Sequence, residues 1–414
     1  MMSSLRALLD WMVRSPWRAF IVLFLLSLTI RLYNPSKIPI GVFFLNPERE
    51  FGAIVKSLVQ TGEFADPYLL PTGPTAHLPP VYPYLLALIY RLFGLSWIAG
   101  YVKMFLIVLA GSLLVALLPW FSDRFGLGRQ AGFIAGLAGA WIVDWPEHGE
   151  YLTGLVLGLL VVAFLNRWTG NRLSWQASFL LGLAVGVALH LQPAILTVVL
   201  GCLAFELWWG RRQQQRSYLG VLILAVLLAC LPWAWRNYQT FNTLVFVRSN
   251  FGLELRMGNN PRALATFEEM DVRVEYLHPR VNLIEARKMQ NVGEIEYMRG
   301  AQREAVAWIV SHPAEFVWLT LRRIANVWVG PLHRPSGIPA VLALTILALL
   351  GLWRSFPALS IPQRAALIIP LAAYPIVYYF VAYMPRYRLP IDWILLILAG
   401  TAAWSWLMPK PETR

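Results

Sequence analysis

The chain has 414 residues, of which 58% are hydrophobic and only 14% charged, with 19 Trp, 16 Tyr and a formal net charge of +13. About a quarter of the residues in a soluble domain are charged, so this composition cannot clothe a soluble globule. The Arg residues gather in short loops between apolar runs, which makes the positive balance a membrane-orientation signal and excludes nucleic acid as a partner.

Segments apolar and long enough for a bilayer, which asks for roughly 17–25 residues, follow one another along the chain. In order they are Trp17–Tyr33, Gly100–Leu118, Ala131–Val143, Tyr151–Leu165, Ala177–His190, Ala194–Trp209, Tyr218–Trp233, Ile338–Trp353, Arg364–Tyr383 and Leu389–Leu407. Cys202 and Cys230 fall inside two of them, without disulfide or metal spacing, and read as packing residues. No signal-peptidase site follows the first segment, so it is expected to remain as an anchor.

Loop charge sets the expected direction. Arg6 and Arg14 precede the first segment and Arg18 stands at its start, and Arg124, Arg129, Arg167, Arg172, Arg211, Arg212, Arg216 and Arg354 occupy alternate loops before Lys410 and Arg414 end the chain. The loop Asp144–Glu150 carries acids and no Lys or Arg. The pattern predicts both termini in the cytoplasm and about ten crossings. Parity then places Val81–Gly94, which holds Arg91, and Phe316–Gly330, which holds Arg322 and Arg323, on the outer membrane surface. The predicted fold is an all-α polytopic membrane protein with interfacial helices in a first outer loop, 34–100, and a small outer-face domain. Its divisions are 1–233 (transmembrane module with the catalytic loop), 234–337 (outer-face domain and interfacial helix) and 338–414 (C-terminal membrane helices).

The first outer loop carries the chemistry. Asn46-Pro47-Glu48-Arg49-Glu50 reads as a helix start, with Asn46 as cap, Pro47 in the first turn and acids where the helix dipole favours them. Phe51, Ile54, Val55, Leu58 and Val59 form one apolar stripe, and Gly62 ends the helix. The proline-rich run from Pro71 to Ala87 excludes regular helix and stiffens the chain into a shaped, aromatic-lined pocket.

This loop, with its acidic helix start, Gly62-Glu63-Phe64 and Pro79-Pro80-Val81-Tyr82-Pro83-Tyr84-Leu85-Leu86-Ala87, resembles the protein O-mannosyltransferase and aminoarabinose-transferase-like group. The likeness continues through Leu231-Pro232-Trp233-Ala234-Trp235-Arg236-Asn237-Tyr238, Arg248-Ser249-Asn250-Phe251-Gly252-Leu253, Gly258-Asn259-Asn260-Pro261 and Pro385-Arg386-Tyr387-Arg388-Leu389-Pro390. Members of that group are GT-C-fold enzymes that use polyprenyl-phosphate sugars. The resemblance implies inverting transfer of a sugar to a protein, lipid or glycan acceptor at the non-cytoplasmic face of a bacterial inner membrane. A carboxylate of the first outer loop serves as base, and cations stabilise the departing phosphate.

Carried over residue by residue, Glu50 is the first choice for the base and Glu48 the second. Arg386 and Arg388 are the donor-phosphate ligands, with His77 and Arg236 as further members. Leu78 stands where the family commonly has a Lys, so His77 or an Arg elsewhere takes that role. Glu150 is a second acid that orients acceptor or a divalent cation. Asp392 reads as a structural partner of Arg388. No Cys/His cluster, Walker loop or dinucleotide fingerprint is present, no metal is assigned and no cofactor is required, though a divalent cation could be accommodated. The rival readings are a lipid-linked sugar transporter or flippase, which needs ionisable residues at the membrane midplane, and an oligosaccharide polymerase or ligase.

Overall fold

The structure, a computed structural model, describes residues 2–33, 45, 50–142, 149–170, 174–213, 218–270 and 277–407. Glu48, the Asn46 cap, Asp144, Arg172, Arg216, Lys410 and Arg414 lie outside the described residues.

The chain is helical. In order run α1 (Met2–Arg14), α2 (Pro16–Tyr33), α3 (Glu50–Gln60), α4 (Val81–Phe93), α5 (Trp97–Arg124), α6 (Arg129–Trp141), α7 (Glu150–Thr169), α8 (Trp175–Leu191), α9 (Ile195–Gln213) and α10 (Leu219–Phe241). There follow α11 (Phe251–Gly258), α12 (Phe267–Met270), α13 (Leu283–Val292), α14 (Glu294–Ser311), α15 (Pro313–Trp328), α16 (Ile338–Ser355), α17 (Ile361–Ala373), α18 (Ile376–Phe380) and α19 (Leu389–Leu407). Among the described residues there is no strand, only isolated bridges at Ala65–Pro74 and Thr266–Tyr383.

Each apolar segment marked in the sequence is helical over most of its described residues, and among the described residues seven helices are long and apolar enough to cross a membrane. These are α2, α5, α7, α10, α16 with its flanking turns, α17 continued through α18, and α19 with the turn before it. The other three expected crossings fall short of that mark. α6 has 13 residues and α8 has 17, and α9 carries Glu206, Arg211 and Arg212. Leu25, Leu180, Leu200, Leu228 and Leu349 are exposed on the outward faces of the bundle, an apolar surface that suits lipid and not water. The protein is an all-helical chain of the multi-pass membrane type.

Small residues let these helices approach closely, as lipid-embedded packing requires. A Cβ on Gly351 of α16 would meet the Leu398 carbonyl of α19, one on Gly400 the Ala131 carbonyl of α6, and one on Gly182 of α8 the Leu222 carbonyl of α10. Backbone cannot yield as a side-chain tip can. Gly351→Val is therefore expected to destabilise the fold by about 1–3 kcal/mol or more, read as a lower unfolding temperature in detergent; an unchanged transition would show that the α16–α19 contact is looser than it looks.

Several boundaries differ from expectation for local reasons. α10 runs two turns past Trp233, so the division at 233/234 falls inside a helix. Trp233, Ala234 and Asn237 form one buried face that holds it, and Asn242, in a left-handed conformation (φ 48), ends it. Arg236 accordingly sits on the helix and not beyond it. The proline-rich run does contain helix from Val81 onward, because Pro83 occupies the first turn, where its missing N–H has no partner to lose. The stretch Ile284–Val310 is two helices, split at Gly293 (φ 82), and Arg364–Tyr383 is interrupted between α17 and α18 at Pro375.

Two substructures cover one end of the bundle. α3 and α4 pack as a pair through Phe51, Ile54, Val55 and Leu58 against Tyr82, Leu86, Ile89 and Tyr90. α11–α15 form a helical cap, whose small core of Leu253, Met257, Met289, Tyr297 and Met298 is plugged by Tyr68 from the loop between α3 and α4. Inside the cap, buried Arg256 pairs with Glu285 at 2.7 Å and Glu304 at 3.0 Å. Within the cap α15 is tied to the end of α11 by fully buried Arg323, which donates to the Gly258 carbonyl and to Asn259 Oδ1. A cation on the last carbonyls of α11 is well placed against the negative end of that helix.

Candidate functional site

A cavity of about 340 Å³ lies where the bundle end, the α3–α4 pair and the cap meet, and Glu50, Glu150, Arg248, Glu254, Arg386 and Tyr387 are among the residues that line it. An apolar groove of about 150 Å³ adjoins it, sharing Tyr82 and Glu150 and running between α4, α5 and α7.

Glu50 is the first residue of α3, in the turn where the helix dipole favours a carboxylate. Its side chain is 22% exposed, with Oε2 lying 3.1 Å from His77 Nε2 and Oε1 2.7 Å from His278 Nε2. Burial alone would raise the pKa of this carboxyl, but attraction to the adjacent His77 and His278 imidazoles outweighs it and holds the pKa well below the usual carboxylate range. Glu50 is therefore an anion at neutral pH. For His77 burial works to lower the pKa, and the neighbouring Glu50 carboxylate, aided by Glu294, raises it above its ordinary value. His77 Nδ1 meets the Tyr68 hydroxyl at 2.8 Å, completing a chain from Tyr68 through His77 to Glu50.

The loop that carries His77 is pinned from the cap. A turn at Asp66 (φ 55) is closed by its carboxylate, which accepts from the Thr72 and Gly73 amides at 2.9 and 2.7 Å. Glu294, at the start of α14, accepts from the Thr75 hydroxyl, from the Ala76 amide at 2.9 Å and from the Ser249 hydroxyl at 2.5 Å. Thr75 in turn accepts from the His77 amide at 3.0 Å. Glu294→Ala is expected to cost about 1.5–3 kcal/mol for the charge-assisted bonds lost. It should also raise hydrogen exchange across Phe64–His77; protection equal to the wild type there would remove Glu294 from the positioning of His77.

The second acid and a guanidinium meet across the cavity. Glu150 opens α7 and pairs with Arg386 Nη1 at 3.0 Å, the two side chains being 6% and 30% exposed. Arg248 Nη2 lies 3.5 Å from Glu254, and its Nε donates to Asn250 Oδ1. The cavity wall thus holds three carboxylates and two guanidinium groups.

Not every expected ligand reaches it. Arg388 bonds Asp392 at 2.7 Å, as its spacing suggested, and donates to the Val327 carbonyl at 3.2 Å; it is a structural residue behind the wall. Arg236 donates to the carbonyls of Thr75 at 2.7 Å and Phe64 at 3.1 Å and stacks over Trp233, so it shapes the loop. His77, 1% exposed, sits behind Glu50 and not on the cavity surface. The sequence assigns no role to Arg248, His278, Tyr68 or Glu294. His278 gave no signal there, since it stands alone in a polar stretch, and only the fold carries it to Glu50.

The one group of side chains among the described residues able to hold a metal ion is Glu50, His77 and His278, whose donor atoms lie within 4.8 Å of one another. Compared with family models and with curated proteins, the chain matches none, so the site is read from its own residues.

Proposed function

We propose that this protein is an inverting GT-C-type glycosyltransferase that moves a sugar from a polyprenyl-phosphate carrier to an acceptor hydroxyl. In this reading all the apolar segments, about ten, cross the membrane, both termini are cytoplasmic, and the cavity faces the outside. The observation that carries the proposal is the cavity itself, which Glu50, Arg386 and Arg248 all line beside an apolar groove. A lipid-borne phosphate keeps its tail in the bilayer, so it can be met only at such a junction of polar wall and apolar slot.

The placement along the helices supports this depth. Glu150 begins α7 and Arg167 stands near its other end, about 25 Å away at ~1.5 Å per residue, which is close to the hydrocarbon thickness. Arg124, Arg129, Arg167, Arg211, Arg212, Arg354 and Arg364 lie at the helix ends remote from the cavity, in keeping with a cytoplasmic side. The buried Arg167–Glu206 pair, with contacts of 3.0 and 2.6 Å and Ser178 at 2.8 Å, belongs to that remote end and not to the midplane. A transport path would instead concentrate such groups at the midplane.

In the proposed step Glu50 takes the proton of the acceptor hydroxyl as its oxygen attacks the anomeric carbon. The bond from that carbon to the phosphate oxygen breaks, and the polyprenyl phosphate leaves as an anion beside Arg386 and Arg248. One displacement inverts the configuration. The test is a transfer assay with purified protein and a panel of polyprenyl-phosphate monosaccharides, in which one or more donors should be turned over with inversion. A protein that binds and turns over none of the donors would overturn the assignment and favour transport.

A further inference from the structure

Glu50 and His77 belong to the segment between α2 and α5, and His278 belongs to the cap. One donor atom from each comes within 4.8 Å of the other two. His77 Nε2 and Glu50 Oε1 are buried, each within reach of a partner group, yet neither makes an aligned hydrogen bond. Donor atoms behave this way when they aim at a shared point between them instead of at one another.

From this geometry we infer that Glu50, His77 and His278 bind one divalent transition-metal ion of the zinc class, tying the first loop to the cap. Two imidazole nitrogens and one carboxylate oxygen are the ligand types that zinc takes, and three protein ligands leave a fourth position open. Glu50 lines the cavity, so the site borders it. The Tyr68 hydroxyl, itself buried, holds the far nitrogen of His77 at 2.8 Å and fixes the ring with Nε2 toward the site. An outer partner of this kind is what metal-bound histidines require.

Two costs are visible. Zinc–ligand bonds of about 2.0–2.2 Å put tetrahedral donors about 3.4 Å apart. The observed contacts, 3.1 Å to Glu50 Oε2 and 2.7 Å to Glu50 Oε1, must therefore open by about 0.3 and about 0.7 Å, with the carboxylate turning to offer one oxygen to the ion. The Arg280 amide also donates to His278 Nδ1 at 3.1 Å, which places the imidazole proton on Nε2. An ion at Nε2 displaces that proton to Nδ1 and gives up this contact. Against these stands the relief of a buried carboxylate and two imidazoles that otherwise satisfy one another poorly.

The inference goes beyond glycosyl transfer and holds whether or not any sugar is moved. Its test uses the full chain, purified in detergent without chelator and with any polyhistidine tag removed. Elemental analysis should find about one equivalent of metal, or zinc added after chelator stripping should restore it and raise the unfolding temperature. His278→Ala and His77→Ala should each lower bound metal at least tenfold and abolish the zinc-induced stabilisation. His312→Ala, on an exposed histidine bonded to Ser311, should retain both. Cobalt(II) loaded into the wild type should give the intense visible bands of a four-coordinate site, a reading that needs no variant to fold. Wild-type protein with no stoichiometric metal and no zinc-dependent stabilisation would overturn the proposal. So would full metal content in His278→Ala, or weak octahedral cobalt bands, the mark of an adventitious ion. Stoichiometric metal in a protein that turns over no donor would leave this site standing and remove the transferase reading.

Discussion

Glu50→Gln is expected to lower the rate of sugar transfer by about 10²–10⁴-fold while the chain still folds and inserts. The substitution keeps the size and planarity of the side chain and removes only the charge. Glu50 lines the cavity and is 22% exposed, so an amide there can be solvated and the fold tolerates it. The chemistry cannot. The carboxylate lies between two imidazoles and is held as an anion, ready to receive the hydroxyl proton, whereas a neutral amide has no place for it. Single-turnover kinetics with a donor identified from the panel isolates this step from product release, and donor binding in the variant should stay within a factor of a few. Wild-type turnover in Glu50→Gln would sink the assignment and direct attention to Glu48, whose own Gln variant would then be the inactive one.

The same experiment separates the base from the cluster around it. His278→Ala leaves the carboxylate in place but removes one of its two imidazoles. If Glu50 is the base, this variant should retain far more activity than Glu50→Gln. Equal losses in both would show that the reaction depends on the assembled Glu50–His77–His278 group, and the role of Glu50 would then be that of one member of it.

The helices were legible because membrane spans are written in local composition. A run such as Leu389–Leu407 announces itself whatever the rest of the chain does, and it is a helix over that same range. Where the reading slipped, the cause was a tertiary contact that composition does not carry. α10 outlasts its apolar run because Trp233, Ala234 and Asn237 find a surface to bury against. Glu50, Glu150 and Arg386 could be singled out because each is a charge at the end of an apolar segment, where a local rule makes it conspicuous. Arg388 and Arg236 were conspicuous for the same reason and turned out to be held by Asp392 and by loop carbonyls, since an end-of-helix cation looks alike whether it meets a ligand or a neighbour. His278 and Glu294 were beyond sequence reasoning altogether. Their partners lie in a distant segment, and nothing in a polar helix start or a lone histidine says which loop it will close on.

Arg386→Gln is expected to reduce kcat/KM for the lipid-linked donor by about 10²–10³-fold, the loss typical of removing one group that stabilises charge developing on a departing oxygen. A purely structural explanation competes with this, because Arg386 pairs with Glu150 at 3.0 Å and Glu150 is 6% exposed. Removing one partner of a buried pair is itself expensive, on the order of 3–5 kcal/mol when the remaining charge is fully enclosed, though the 30% exposure of Arg386 softens that figure here. The double substitution Glu150→Gln with Arg386→Gln distinguishes the two. If the guanidinium serves only as counterion to Glu150, neutralising both ends relieves the strain, and stability and turnover should recover together. If it also meets the phosphate, the double variant should regain its unfolding temperature while kcat/KM stays low. Arg386→Lys adds a finer measure. It keeps the charge but loses the planar fork that can grip a phosphate through two nitrogens, and should fall between wild type and Gln. Recovery of turnover in the double variant would assign the pair to the fold and leave Arg248, on the same cavity wall and close to Glu254, as the cation that meets the donor.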